Sequence, residues 1–196
     1  MLFRSSTLNI DLGAGKFEIS DTSSNLVDVE AAGLIEGYEL KSDDGVNINL
    51  SMIGPKHLKI DGNNKIKRKA YIKLNQNVTW NLNFQIGAAS IDSDLRNFKI
   101  RNINLDGGAS KIDFDLGNLC DTMEVNINTG ASSVEINIPR SSGCEIYTNT
   151  GLSGEKFSDF IKYENNIYRT DNYDNSTKKI FIKINGGISS FKVRRI

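Results

Sequence analysis

Apolar and polar residues alternate along most of this chain, and the alternation is interrupted at intervals by a glycine followed by small residues. Gly13, Gly87, Gly108, Gly130, Gly151 and Gly187 each stand at such a step, and the four from Gly87 to Gly151 are 21, 22 and 21 residues apart. A fixed spacing of that size marks stacked structural repeats. Counting back seven, five and three positions from the glycine lands on apolar or small residues: Met123, Val125 and Ile127; Cys144, Ile146 and Thr148; Ile180, Ile182 and Ile184; Trp80, Leu82 and Phe84. Before Gly108 the same count finds only two, Ile103 and Leu105. Counting forward four, six and eight gives Ile112, Phe114 and Leu116, then Val134, Ile136 and Ile138. A period of two predicts half-buried strands on either side of each glycine, with these residues inward.

The predicted fold class is therefore all-β: a repeat β-solenoid of stacked coils, each about 21 residues long, with few or no helices. One such coil cannot bury its own apolar side, but copies stacked about 4.8 Å apart form a continuous core. The coils from residue 80 to 150 are expected to pair in parallel. Ala14, Ala88, Ala109 and Ala131 follow their glycines. A corner of this kind predicts close packing between coils, so a larger residue in place of Ala131 is expected to crowd it. Leu152 and Ile188 depart from the alanine rule and predict slightly wider corners.

Outward positions should also stack. Asn9, Asn83, Asn104 and Asn126 lie four before their glycines; Asp11, Gln85, Asp106, Asn128, Asn149 and Asn185 lie two before. Two readings stand: amide ladders along the stack, or a polar face that is merely rich in asparagine.

Residues 22–80 lack the glycine step but stay strand-like, with Val46, Ile48 and Leu50 alternating, and Ala70, Ile72 and Leu74 after them. Turn residues at 43–45, at Gly54-Pro55 and at 61–64 separate these runs, and the last predicts a hairpin of antiparallel strands. Strand is preferred to helix over residues 25–40. The interval from Gly151 to Gly187 is 36 residues, and its surplus holds Phe157, Phe160, Tyr163, Tyr168 and Tyr173. The expected organisation is one β-repeat domain over 1–196: strands and a hairpin in 1–80, regular coils over 80–196, and an aromatic insertion at 155–179.

Composition fits an exposed-on-one-side β protein: 38% hydrophobic residues, 17 glycines and only 2 prolines in 196 residues. With 24 basic and 24 acidic residues, no charge excess points to nucleic acid or an anionic membrane surface. No apolar run is long enough to span a membrane, and the opening Met1-Leu2-Phe3-Arg4-Ser5-Ser6 is too short and polar for a signal peptide. That leaves a cytoplasmic chain or a piece cut from a membrane anchor.

Candidate chemistry is sparse. The single histidine, His57, reads as a turn residue, and no nucleophile motif accompanies it. Cys144 reads as a core residue and Cys120 as a loop residue on a different rung, so no disulfide is expected. Asp92, Asp113 and Glu135 should stack outward, as should Asp94 and Asp115. Like charges on neighbouring strands repel, so such a ladder fits a cation or basic partner. Carboxylates splayed into solvent are the preferred reading, with no calcium-dependent stabilisation expected. The run Lys65, Lys67, Arg68, Lys69 reads as a charge-protected strand edge. No catalytic residue, cofactor or metal is called for. The aromatic set Phe157, Phe160, Tyr163, Tyr168 and Tyr173 reads either as a cover over the last coil or as a partner surface.

The opening Leu8-Asn9-Ile10-Asp11-Leu12-Gly13-Ala14-Gly15, the repeated Gly-Ala-Ser steps, the segment Tyr168-Arg169-Thr170-Asp171-Asn172-Tyr173 and the closing Ile182-Lys183-Ile184-Asn185-Gly186-Gly187-Ile188-Ser189-Ser190-Phe191 resemble the bacterial toast-rack domains. These form the soluble β-repeat portion of LiaF-like cell-envelope stress proteins, and the chain is also similar to adhesin β-repeat domains. The resemblance covers nearly the whole chain and implies a non-catalytic interaction module, associated with the envelope or its stress response, that binds a protein or a surface polymer. In that family the domain usually follows membrane helices, which this sequence lacks. The alternative is a carbohydrate-active enzyme, a polysaccharide lyase or hydrolase, since parallel β-helices host both; such an enzyme needs acids and bases from adjacent coils around a groove.

Overall fold

The computed structural model describes residues 5–32, 37–42, 44–53, 69–151, 153–187 and 189–196. The expectations for the turns at Gly54-Pro55 and 61–64, for His57, for Lys65, Lys67 and Arg68, and for the corners at Leu152 and Ile188 lie outside these described residues.

Strands dominate, as the alternation requires. In chain order they are β1 (Ser5–Leu12), β2 (Gly15–Thr22), β3 (Val27–Ala32), β4 (Gly37–Lys41), β5 (Asn47–Ile53), β6 (Lys69–Leu74), β7 (Thr79–Ile86), β8 (Ala89–Asp94), β9 (Lys99–Asp115), β10 (Thr122–Ile138), β11 (Gly143–Thr150), β12 (Ser153–Phe157), β13 (Phe160–Glu164), β14 (Ile167–Thr170), β15 (Lys179–Gly186) and β16 (Ser189–Arg195). Strands preceding a glycine corner line up in a front sheet that further strands extend at both ends, in the order β13-β14-β11-β15-β10-β9-β7-β1-β5-β4. Strands following the corner form a back sheet: β12 beside β16, then β10, β9, β8, β2, β6 and β3. The two long strands β9 and β10 run through the corner and contribute to both sheets.

Apolar residues from the two sheets meet in one core. Ile112, Phe114, Leu116, Val134, Ile136, Ile138, Met123, Val125 and Ile127 are all buried, as the count from the glycines predicts. The Phe84 and Phe114 rings, from the front and back sheets, lie 5.8 Å apart at their centroids. Pairing from β7 to β10 is parallel throughout, as expected. Residues 25–40 supply β3 and β4, in keeping with the preference for strand.

Coil order departs from sequence order at both ends. The β1–β2 coil sits between β5/β6 and β7/β8. The C-terminal β15–β16 coil sits between β10 and β11/β12. Gly187 therefore stacks on Gly130, and Gly151 on Gly187. The runs 46–50 and 70–74 part company: β5 pairs with β1 in front and β6 with β2 behind, and the hairpin expected at 61–64 lies outside the described residues. Antiparallel partners appear instead at the ends of the stack, β4 on β5 and β3 on β6 at one end, β14 on β11 and β13 on β14 at the other.

The corners also correct the role given to alanine. Ala88, Ala109 and Ala131 are exposed, so a larger side chain at 131 has solvent to enter. Close approach falls on the glycines. A Cβ on Gly187 would stand 2.8 Å from the Gly130 carbonyl oxygen, and one on Gly87 or Gly108 would stand 3.1 Å from the carbonyl oxygen of the preceding corner glycine.

Candidate recognition surface

The outer surface of the front sheet is built by the residues that alternate with the core. Along its middle, the Asn9 amide donates to Asn49, Asn83 to Asn9, Asn104 to Asn83 and Asn126 to Asn104, at 2.8–3.0 Å. A second row has Asn185 donating to Asn128 and Asn128 to Asp106. The ladder reading of these asparagines is thus the one the side chains adopt. An amide inside a ladder, such as Asn83 or Asn104, spends one N–H and one lone pair on its neighbours and keeps the others for solvent or a ligand.

Toward the C-terminal end of the same surface the register changes character. The position four before the glycine, asparagine in the middle coils, is Lys183 in β15 and Tyr147 in β11. A shallow groove of about 120 Å³ lies here, lined in part by Glu124, Glu145, Tyr147, Phe181 and Lys183. Beside it, Arg169 of β14 pairs with Glu145 at 2.6 Å, and that bond holds the guanidinium in its charged form more firmly than usual. The guanidinium is stacked between two rings, 3.9 Å from the Tyr163 centroid and 4.5 Å from that of Tyr173. Lys179 stacks on Tyr173 in turn, at 4.4 Å.

The five aromatic residues, which read either as a cover over the last coil or as a partner surface, are divided by this geometry. Phe157, Phe160 and Tyr168 pack against the core, with ring centroids 4.9 Å apart for Phe157 and Tyr168 and 6.2 Å for Phe157 and Phe160. They cover the last coil. Tyr173 is half-buried beneath Lys179 and beside Phe181. Of the five only Tyr163 is open, at 57% exposure; Ile161 on the same strand and Tyr147 on β11 are exposed as well. Tyr147 was missed from the sequence, although an aromatic at an asparagine register position was a signal.

At the head of the front sheet the segment after β9 stands over an open hollow of about 770 Å³, lined by residues including Lys99, Arg101, Asn102, Leu119, Thr122 and Glu124. Cys120 borders it, and burial raises its thiol above the ordinary cysteine value, which disfavours a reactive thiolate. Cys144 is fully buried, as expected, and both cysteines are free.

The back sheet carries the acidic column in the register expected. Asp92 pairs with Asp113 and Asp113 with Glu135, while Asp94 pairs with Asp115. Cations close both sides: Lys16 lies 3.7 Å from Asp92, and Lys192 and Arg194 both pair with Glu135. Arg96 holds Asp94, and the Asn137 amide donates to Asp115 at 2.7 Å. Among the described residues no group of three or more His, Cys, Asp or Glu side chains is placed to hold a metal ion.

Asp113, in mid-column, has its carboxyl raised above the usual 3.8, first by burial and then by Asp92 and Asp115. From the ordinary aspartate range up to its raised folded-state position, the folded protein keeps a proton that the unfolded chain has released, so this residue's contribution falls as pH rises through that window. Asp113→Asn is therefore expected to melt higher than the parent at pH 7, with the gain disappearing as pH drops below the ordinary aspartate range. Thermal melts of both proteins from pH 7 to pH 3 check this. A gain independent of pH would trace to packing instead.

Taken together, these are the features of a stacked-coil β domain with one amide-and-aromatic face and one charged face. The family described as the N-terminal domain of toast_rack, DUF2154, matches residues 3–137, and the chain belongs to that family. A crystal structure from Clostridium sporogenes, provisionally described as a cell adhesion protein, superposes with a TM-score of 0.89 at 23% identity, over 98% of this chain and 93% of that one. A Bacteroides fragilis protein, provisionally described as an adhesin, gives a TM-score of 0.36 at 11% identity over 98% and 94%. No curated protein matches the chain. The match to the Clostridium structure extends the shared fold past residue 137, through the inserted β15–β16 coil.

Proposed function

We propose that this chain is a non-catalytic recognition module of the bacterial cell envelope, binding a surface polymer or an envelope protein through the C-terminal end of its front sheet. One observation carries the reading: Arg169 is fixed by Glu145 and by stacking on the exposed Tyr163, its strand partner Ile161 is exposed, and Tyr147, also exposed, lies two residues along β11 from Glu145. Tyrosine and arginine held rigidly on a sheet lose little conformational freedom on binding, and for that reason they dominate recognition surfaces. Family membership supports the envelope setting, and the provisional description of the Clostridium sporogenes structure as a cell adhesion protein agrees with it. A LiaF-like role in envelope stress is one context for such a module.

The test is retention of the domain on two immobilised fractions, purified cell-wall polymer and solubilised envelope protein. The double variant Tyr147→Ala/Tyr163→Ala is expected to lose about tenfold in affinity, roughly 1.4 kcal/mol, with melting temperature unchanged. Equal retention of parent and variant would overturn the assignment of this surface. A competing reading, a carbohydrate-cleaving enzyme, draws on Asp113, a carboxyl raised between two others on neighbouring strands. Release of reducing ends from cell-wall glycan that stops in Asp113→Asn would favour it.

A further inference from the structure

We propose that the hollow at the head of the front sheet binds an anionic group, carboxylate or phosphate, carried by a hydroxyl-rich polymer; the polymer part of this proposal rests on the recognition reading above. The hollow owes its charge to a bulge. Where β9 pairs with β7, Trp80 faces Ile100 but Asn81 faces Asn102, so Arg101 is an extra residue. Ile100 and Ile103 remain buried, and both residues between them turn outward. A bulge commonly re-aims a side chain beside a functional site, and here it places a guanidinium where unbroken alternation would have placed a core residue.

That guanidinium is unspent. Of the arginines among the described residues, Arg96, Arg140, Arg169, Arg194 and Arg195 each pair with a carboxylate. Arg101 makes no ion pair among the described residues, although Asp121 and Glu124 line the same hollow. Asp121 is instead held by Lys178 at 2.7 Å. Arg101 thus presents its donor fork to the opening, the geometry that suits a carboxylate or phosphate held by two hydrogen bonds.

The remaining lining selects the rest of the ligand. Thr79 and Thr122 offer hydroxyls, Asn102 an amide, and Leu119 an apolar patch that is half exposed. These suit hydroxyl groups and the C–H face of a sugar ring. Glu124 lines both the hollow and the groove of Tyr147 and Phe181, so the two depressions meet at that side chain. A dense polyanion would meet Glu124, whereas a chain with isolated anionic groups would seat one at Arg101 and run its neutral units toward the tyrosine.

Calorimetric titration with four probes tests this: glucuronic acid, glucose 1-phosphate, glucose, and an N-acetylated tripeptide with a free C-terminal carboxylate. At least one charged sugar is expected to bind about tenfold more tightly than glucose, less so as salt is raised, and comparing the two shows whether carboxylate or phosphate is preferred. Arg101→Gln should abolish that preference without lowering the melting temperature, while Lys156→Gln on the back sheet should leave it intact. Equal binding of charged sugars and glucose, or an unchanged preference in Arg101→Gln, overturns the site; preference for the tripeptide overturns the sugar class. Cell-wall retention that survives Arg101→Gln when no probe binds refutes the hollow but not the recognition module. Probe binding without retention on either envelope fraction refutes the module but not the hollow.

Discussion

Truncation after Lys178 is expected to abolish cooperative folding rather than to shorten the stack by one coil. The deleted segment is not a tip. It contributes β15 and β16, which lie between β10 on one side and β11 and β12 on the other. Its loss removes Ile180, Ile182, Ile184, Phe191 and Val193 from the core, all now at most 2% exposed. At roughly 1.5–3 kcal/mol for each buried side chain, the loss is on the order of 10 kcal/mol, comparable with the whole stability of a typical domain. It also uncovers two rows of backbone donors and acceptors. The measurement is a thermal melt followed by circular dichroism, repeated after adding a peptide of residues 179–196. No transition without the peptide and a restored one with it are the expected results. A truncated chain that melts cooperatively near the parent's midpoint would mean that β10 and β11 can close directly on each other.

Gly117→Ala is expected to be the most damaging glycine substitution, at about 3 kcal/mol, the upper part of the usual range for overpacking. For a domain of this length that corresponds to a midpoint lower by about 6–12 °C. Gly117 follows the buried Leu116, and a Cβ there would stand 2.4 Å from the Arg96 carbonyl oxygen and 3.0 Å from the Arg96 carbonyl carbon and Cα. These are backbone atoms of the adjacent coil, so no side-chain rotation relieves the contact. The constraint is one of space, since the backbone of Gly117 is not left-handed. Ala131→Leu is the companion measurement. Because Ala131 is exposed, its leucine variant should stay within about 0.5 kcal/mol of the parent. A larger loss in Ala131→Leu than in Gly117→Ala would reverse the assignment of where the coils touch.

What the sequence determined by itself is what local periodicity controls. Alternation at period two decides which side of a strand faces the core, so the burial of Ile112, Phe114, Val125 and Ile136 could be read directly. The glycine steps set the register, and with it the stacking of Asn83, Asn104 and Asn126 and of Asp92, Asp113 and Glu135. The bulge was partly legible: counting back seven from Gly108 meets the charged Arg101, where the other coils have Ser6, Trp80, Met123, Cys144 and Ile180. The tertiary structure decided which coil lies beside which. β11 and β15 present the same alternation and are both eight residues long, so β10 could accept either with equal local logic, and only packing of the whole stack selects β15. For the same reason β5 and β6 went to different sheets. It also decided which aromatics remain open, because Phe157 and Tyr168 are covered by each other across two separate strands while Tyr163, nearby in sequence, faces out. Distances between strands that are remote in sequence do not enter a local pattern; they are settled when the core closes.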